Sequence, residues 1–189
     1  ISFMENKKNR INISCPLCNH SEYVHWAKDN GYDAVKCVNC GLVYVNPRPV
    51  DSLVDEAVQT GVHSERDGDR DSIVRREGYK VSWYEKIIKE MYEDVWSKKV
   101  KISWIDIGAG YGEFIEAVGR LASSDSEILG VEPMKPKVQD AIKRGLNMKE
   151  CYLSDIHEKY EFASLINVFS HIPDFHEFLE NLKKILTPN

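Results

Sequence analysis

The sequence predicts an α/β fold, a doubly wound parallel sheet filling the C-terminal half, with a small cysteine-bearing ribbon in front of it. Three observations carry this prediction. From residue 101 onward, short apolar strand patterns alternate with amphipathic helix patterns, which is how a parallel sheet covered by helices reads. A glycine-rich turn, Gly108-Ala109-Gly110-Tyr111-Gly112, joins the first such strand to the first helix. Ahead of all this, four cysteines stand in two tight pairs with the spacing C-x2-C-x18-C-x2-C.

Composition supports a folded chain. Of 189 residues, 42% are apolar and 29% charged, close to the average for globular domains. Apolar runs fall far short of the roughly 18 residues that a membrane helix requires, and the basic start is not followed by the apolar segment of a signal peptide. A cytoplasmic location is expected on these grounds. The first residue is Ile1, so Met4 is the candidate native start. The formal charge is −5 and the isoelectric point about 5.7, which weighs against bulk nucleic-acid binding.

Residues 11–49 are read as a zinc ribbon. Cys15, Cys18, Cys37 and Cys40 give the spacing of a four-thiolate zinc site. A Gly or Asn after the second cysteine of each pair, Asn19 and Gly41, lets the backbone turn. Four cysteines close the coordination shell, so the Zn2+ is expected to be structural. His20 and His25 are redundant beside a complete cysteine set. Strand-like patches fall at Tyr23–Trp26 and Leu42–Val45. Residues 50–78 read as a connector: a short helix at Val50–Val58, then a charge-dense stretch, His63–Glu77, suited to a solvated loop.

The third region, residues 79–189, opens with an amphipathic helix over Tyr79–Ser97. Its apolar stripe of Tyr84, Ile87, Ile88, Met91, Tyr92, Val95 and Trp96 has helical spacing and is read as core. Strand and helix then alternate: strand Lys101–Ile107, helix Glu113–Ala122, strand Ile128–Val131, helix Lys135–Arg144 ended by Gly145, a short strand near Met148–Tyr152, strand Ala163–Phe169, and helix Phe175–Leu186. Ligands of such sheets bind at the carboxyl ends of the strands.

The glycine turn departs from the dinucleotide pattern G-x-G-x-x-G, because its third glycine comes one residue early and position 113 is Glu. A carboxylate at the helix start repels a pyrophosphate, and the Gly-Lys-Ser/Thr of a phosphate loop is absent. The turn is therefore expected to face a ligand without phosphate at that point. Asp106, just ahead of it, suits a cationic or hydrogen-bond-donating ligand.

Asp106-x-Gly108-x-Gly110-x-Gly112 resembles the first motif of class I S-adenosylmethionine-dependent methyltransferases, which have Rossmann-like sheets. Gly130-Val131-Glu132-Pro133, Ser154-Asp155-Ile156 and the segment Ile166–Asp174 resemble, in order, the segments after strands 2, 3 and 4 of that family. The resemblance implies S-adenosylmethionine as cofactor, held by Asp106, Gly108, Ala109, Gly110, Gly112, Glu132, Pro133, Asp155, Ile156 and Asn167. Glu132 would accept hydrogen bonds from the ribose hydroxyls, and Asp155 would meet the adenine amino group. This chain has Asn167 and Ser170 where the family often has Asp and Glu. Seven strands are usual there. The sequence stops at Thr187-Pro188-Asn189, before a fifth, so a sheet truncated at that point is expected. A ribbon ending in Cys-Gly-Leu-Val-Tyr-x-Asn-Pro-Arg-Pro is similar to ribbons that precede some methyltransferases acting on nucleotide-linked sugars or glycans.

The implied function is methyl transfer to a small-molecule acceptor, a sugar nucleotide or glycan precursor. A hydroxyl or carbon acceptor requires a base. His171, past the carboxyl end of the fourth strand, is the candidate, since imidazole titrates near neutrality. His157 on a rim loop is a weaker candidate, and Arg75 and Tyr79 are placed to lid the cofactor. Two alternatives stand beside this reading. One is an RNA methyltransferase gripping RNA through the ribbon, which residues 1–61, with 6 Lys+Arg against 7 Asp+Glu, do not favour. The other is a non-catalytic interaction module.

Overall fold

A computed structural model describes residues 9–60, 78–96 and 101–188. The charge-dense stretch His63–Glu77, Arg75 included, lies outside the described residues.

The ribbon is built from five short strands. β1 (Arg10–Ile11) pairs antiparallel with β5 (Arg48–Pro49), and β2 (Tyr23–Asp29), β3 (Tyr32–Cys37) and β4 (Val43–Val45) form an antiparallel sheet in that order. The β2–β3 hairpin turns on Asn30 and Gly31, with φ of 46° and 77°. Asn-Gly is the pair that a two-residue hairpin with both φ positive favours. The sequence pattern had shown only the outer two strands of this sheet; β3 carries the polar Asp33 and Lys36 within it and lacks a clear alternation.

The expected helix at 50–58 is α1 (Asp51–Thr60). The long helix expected over 79–97 divides: α2 (Tyr79–Met91) ends at Tyr92, and α3 (Glu93–Trp96) is a separate turn. Tyr92 leaves the helical region with φ −129°, while the Trp96 indole N–H folds back to donate to the Ile88 carbonyl at 3.0 Å. Ile88 of the apolar stripe is buried, and Tyr84, Val95 and Trp96 pack against the same core, whereas Met91, at the break, is 67% exposed.

Four parallel strands form the main sheet. They are β6 (Ser103–Ile107), β7 (Glu127–Val131), β8 (Met148–Lys149) and β9 (Phe162–Leu165), in the order β8-β7-β6-β9. α4 (Glu113–Leu121) connects β6 to β7, α5 (Lys135–Lys143) connects β7 to β8, and α6 (Phe175–Ile185) follows β9. Side chains alternate across the sheet. Trp104 packs with Val81, Ile88, Phe114 and Val118 under α2 and α4. Ile105 and Ile107 pack on the opposite face with Ile156, Tyr160 and Ile185, against α6. Helices thus cover both faces, as a doubly wound sheet demands. α6 starts where Asp174 Oδ1 accepts from the amides of His176 and Glu177, at 2.9 and 3.0 Å, a side-chain cap for two otherwise unpaired donors.

β9 is shorter than expected. It stops at Leu165; Asn167 takes a left-handed φ of 59°, and Phe169–His171 form a single 3-10 turn. After α6 the chain returns to bridge Leu186 with Tyr160 in parallel sense. Among the described residues, no helix is long and apolar enough to cross a membrane.

Candidate functional site

Two constellations stand out, one in the ribbon and one at the carboxyl edge of the main sheet. In the ribbon, the two cysteine pairs adopt the same local geometry. Cys15 N–H donates to His20 O and Asn19 N–H to Cys15 O, at 2.9 and 2.8 Å. Likewise Cys37 N–H donates to Leu42 O and Gly41 N–H to Cys37 O, at 2.9 and 3.1 Å. Asn19 and Gly41 make both turns possible with φ of 57° and 78°. The four sulfurs converge within 4.8 Å of one another. Cys15 Sγ lies 3.5 Å from Cys40 Sγ, and Cys18 Sγ 3.6 Å from Cys37 Sγ. None of them is in a disulfide. Zn–S bonds of about 2.3 Å in a tetrahedron put sulfurs about 3.8 Å apart, so the cluster fits zinc. Hydrogen bonds from the Asn39 side chain and the His20 backbone pull the Cys18 thiol below its ordinary value, while Cys40 in the same cluster is pushed up. His20 and His25 lie against Glu22 and Asp33, at 3.8 and 3.7 Å, beside the cluster and not within it.

At the sheet edge, Gly108, Gly110 and Gly112 all have positive φ, of 70°, 58° and 77°. Their surroundings differ. A Cβ on Gly108 would meet Val168 Cγ2 at 2.6 Å, and one on Gly112 would meet Leu146 Cδ1 at 2.8 Å. A Cβ on Gly110 would meet nothing within 4 Å. Two of these glycines therefore serve packing, and Gly110 turns bare backbone toward open space. The turn is anchored to β7: Gly108 and Ala109 N–H both donate to Val131 O, at 2.9 and 3.0 Å. Gly130 is needed beneath it, since a Cβ there would lie 2.9 Å from Ala109 Cβ and 2.3 Å from Met148 Sδ.

Two buried carboxyl groups flank the turn. Glu132, 5% exposed, accepts from Gly110 N–H and Met134 N–H at 2.9 and 3.1 Å. Asp106, 2% exposed, accepts from Ser164 Oγ at 2.6 Å. Burial pushes the Asp106 carboxyl up to about 7; the Ser164 hydrogen bond pulls it down, while Glu132 and Glu113 push it further up. A cation or a hydrogen-bond donor arriving here would restore the charge. Such a site suits a positively charged ligand lying along the Gly110 backbone.

The structure thus gathers Asp106, Gly108, Ala109, Gly110, Gly112 and Glu132, with Pro133 half-buried beside Glu132. The remaining residues are placed differently. Asp155 uses Oδ2 to accept from Tyr152 N–H at 3.0 Å, capping its own short turn. Ile156 is 4% exposed and belongs to the core under α6. Asn167 is exposed just past β9. His171 is exposed at the end of the 3-10 turn, its N–H donating to Val168 O at 2.9 Å, and His157 and Tyr79 are exposed. Ser164 and Val168, which the sequence places in the fourth strand, carry no site role in the sequence alone. The signal for Ser164 was present: a lone hydroxyl inside an otherwise apolar strand.

The family model described as a methyltransferase domain matches residues 76–189. No curated protein matches. Among solved structures, that of the plantazolicin methyltransferase BpumL in complex with SAH is similar, with a TM-score of 0.53 and 18% identity, over 73% of this chain and 55% of that one. The magnesium protoporphyrin IX methyltransferase ChlM from Synechocystis PCC 6803, also with SAH bound, is similar with a TM-score of 0.51 and 13% identity, over 72% of this chain and 68% of that one. The match therefore spans little more than half the length of BpumL, and at such identities the likeness is one of fold. The domain model covers more than half of the chain, including every strand of the main sheet and the whole glycine turn, and on that ground the chain belongs to the methyltransferase-domain family.

Proposed function

We propose that this chain binds S-adenosylmethionine at the carboxyl edge of β6 and β7 and transfers its methyl group to a small-molecule acceptor, a sugar nucleotide or glycan precursor. The observation that carries the reading is the bare, left-handed Gly110 backbone facing open space beside the buried carboxyl groups of Asp106 and Glu132. When bound, the cofactor supplies an electrophilic methyl on a sulfonium. The chain's part is to bind, orient and exclude water. Asp106 answers positive charge. Glu132, already oriented by two backbone amides, keeps lone pairs for ribose hydroxyls. Asp155, through the oxygen that Tyr152 N–H leaves free, would meet the adenine amino group, with the buried Ile156 as the core support behind it, and Asn167 lines the edge past β9. His171 stands past β9 as the base for a hydroxyl or acidic carbon. The ribbon, residues 11–49, holds a structural zinc, residues 50–78 connect it, and residues 79–189 form the transferase domain. Free, converging cysteines accord with a reducing, cytoplasmic setting.

Titration calorimetry of the chain with S-adenosylmethionine tests the first half of this reading, with one site per chain expected. Absence of binding by both the cofactor and its demethylated product would defeat it. Transfer of labelled methyl across a panel of sugar nucleotides tests the second half, and labelling of none of them would remove that acceptor class. His171→Ala should lower turnover about 100-fold with cofactor affinity held.

A further inference from the structure

A buried polar chain runs beneath the glycine turn. Trp104, Asp106 and Ser164 lie on the same face of adjacent strands, and Asp106 stands directly opposite Ser164 in the β6–β9 register. The Trp104 indole N–H donates to Ser164 Oγ at 2.9 Å, and Ser164 Oγ donates to Asp106 Oδ1 at 2.6 Å. The three residues are 2%, 8% and 2% exposed. We infer that Ser164 is a positioning residue for Asp106, fixing its carboxylate in the charged, oriented form that receives a cationic ligand. The inference rests on the cofactor reading above.

The donors available fix the direction of these hydrogen bonds. An indole nitrogen only donates. It occupies a lone pair of the Ser164 hydroxyl, whose own proton must then go elsewhere. One acceptor within reach is Ile105 O at 3.5 Å; the other is Asp106 at 2.6 Å, and the shorter contact to a carboxylate wins. Trp104 cannot easily turn away, because it is stacked on Phe162 and Trp96 at centroid distances of 5.1 and 6.2 Å. Ser164 is thereby held as a donor toward Asp106. The charged groups facing Asp106 are Glu132 beyond β7 and Glu113 at the head of α4, and both oppose its ionisation. Ser164 is the neighbour that favours it. Without the hydroxyl, ionisation should move up by about one to two pH units, the value of a charge-assisted hydrogen bond.

The test compares the wild type with Ser164→Ala, Ser164→Thr and Ser164→Cys, each also in an Asp106→Asn background, by urea unfolding between pH 4 and 9. Wild-type stability, taken as the difference from Asp106→Asn, should fall as pH rises and level off near 7, because the folded state holds the Asp106 proton longer than the unfolded state does. In Ser164→Ala the fall should continue about one unit or more further. Thr, which keeps the hydroxyl, should restore the wild-type profile, and Cys should lie between. The orphaned Trp104 indole lowers stability equally at every pH, so it cannot move the inflection. If Ser164→Ala does not fold, Ser164→Cys decides by the same displacement. S-adenosylmethionine affinity at pH 7 should drop about tenfold in Ser164→Ala and recover toward pH 9. An inflection that stays at the wild-type pH in Ala and Cys overturns the inference. Should no variant bind the cofactor, the proposed function fails, and the unfolding curves still decide the role of Ser164.

Discussion

Glu132 and Gly110 are joined directly: the carboxylate at the end of β7 accepts the backbone N–H of Gly110 through Oε2 at 2.9 Å, while Oε1 takes Met134 N–H at 3.1 Å. One buried side chain therefore sets the height of the turn and fixes the start of α5. It is part of the frame, and under the proposed function it is also a contact for the cofactor ribose.

Glu132→Ala should act on both. Two backbone donors lose their acceptor, so the melting temperature should fall. S-adenosylmethionine binding should weaken by about 1–3 kcal/mol, the range for lost charge-assisted hydrogen bonds. Calorimetry and thermal melts on the same protein measure the two effects. Unchanged affinity would remove Glu132 from the cofactor site.

Gly108 and Gly110 should answer differently to the same substitution. Both have positive φ, so alanine carries a backbone cost of roughly 1–2 kcal/mol at either. At Gly108 the new methyl also meets Val168 Cγ2 at 2.6 Å, so Gly108→Ala should unfold more easily, and Val168→Ala should relieve it. At Gly110 the methyl enters open space. Gly110→Ala should fold and lose cofactor affinity, and Gly110→Val should abolish binding. Melting curves and cofactor titrations separate the two. Equal destabilisation at both glycines would contradict the distinction.

Much of this was legible in the sequence because the signals were local. The glycine turn, the cysteine spacing and the alternation of strands and helices along the chain each follow from patterns a few residues long. What was missed depends on partners distant in sequence. Ser164 matters because the register sets it against Asp106, 58 positions away. Val168 matters because it fills the space beside Gly108. The early end of β9 follows from the left-handed turn at Asn167, which the apolar residues on either side of it, Leu165, Ile166, Val168 and Phe169, conceal. The β2–β3 hairpin was local and readable, since Asn30-Gly31 is a strong turn signal, but it lay between two strands with little alternation.

Asp106→Asn should stabilise the protein at high pH. The wild-type carboxyl is raised from its ordinary value of 3.8 to about 7, chiefly by burial. Between these values the unfolded chain has released a proton that the folded chain keeps, so stability falls as pH rises through the window and stays low above it. The difference amounts to about 4 kcal/mol at pH 8, and Asn, neutral throughout and still an acceptor for Ser164, escapes it. Urea midpoints at pH 4.5 and 8 for both proteins provide the check. A wild type as stable at 8 as at 4.5, relative to Asn, would mean that Asp106 ionises freely in the folded state.

Zinc should be needed by the ribbon and not by the cofactor site. The three apolar clusters found among the described residues all lie between residues 81 and 185, whereas the ribbon buries little beyond Cys15, Val35, Cys37 and Asn46. A module with so small a core depends on its metal, because the free energy of binding becomes free energy of folding. Exposed hydrogen bonds join the ribbon and α1 to the sheet domain, His176 Nε2 with Leu17 O at 3.1 Å and Gln59 Nε2 to Tyr152 Oη at 3.2 Å, each of the kind that contributes about 1 kcal/mol or less. Protein purified without added metal should hold about one zinc per chain. Cys37→Ser should lose it and unfold the ribbon, seen as a changed emission of Trp26, while S-adenosylmethionine affinity stays within about fivefold, the factor that a link of about 1 kcal/mol represents. Loss of cofactor binding together with the metal would show that the ribbon is built into the site, and metal analysis below a tenth of an equivalent, with the cysteines oxidised, would turn the cluster into a pair of disulfides.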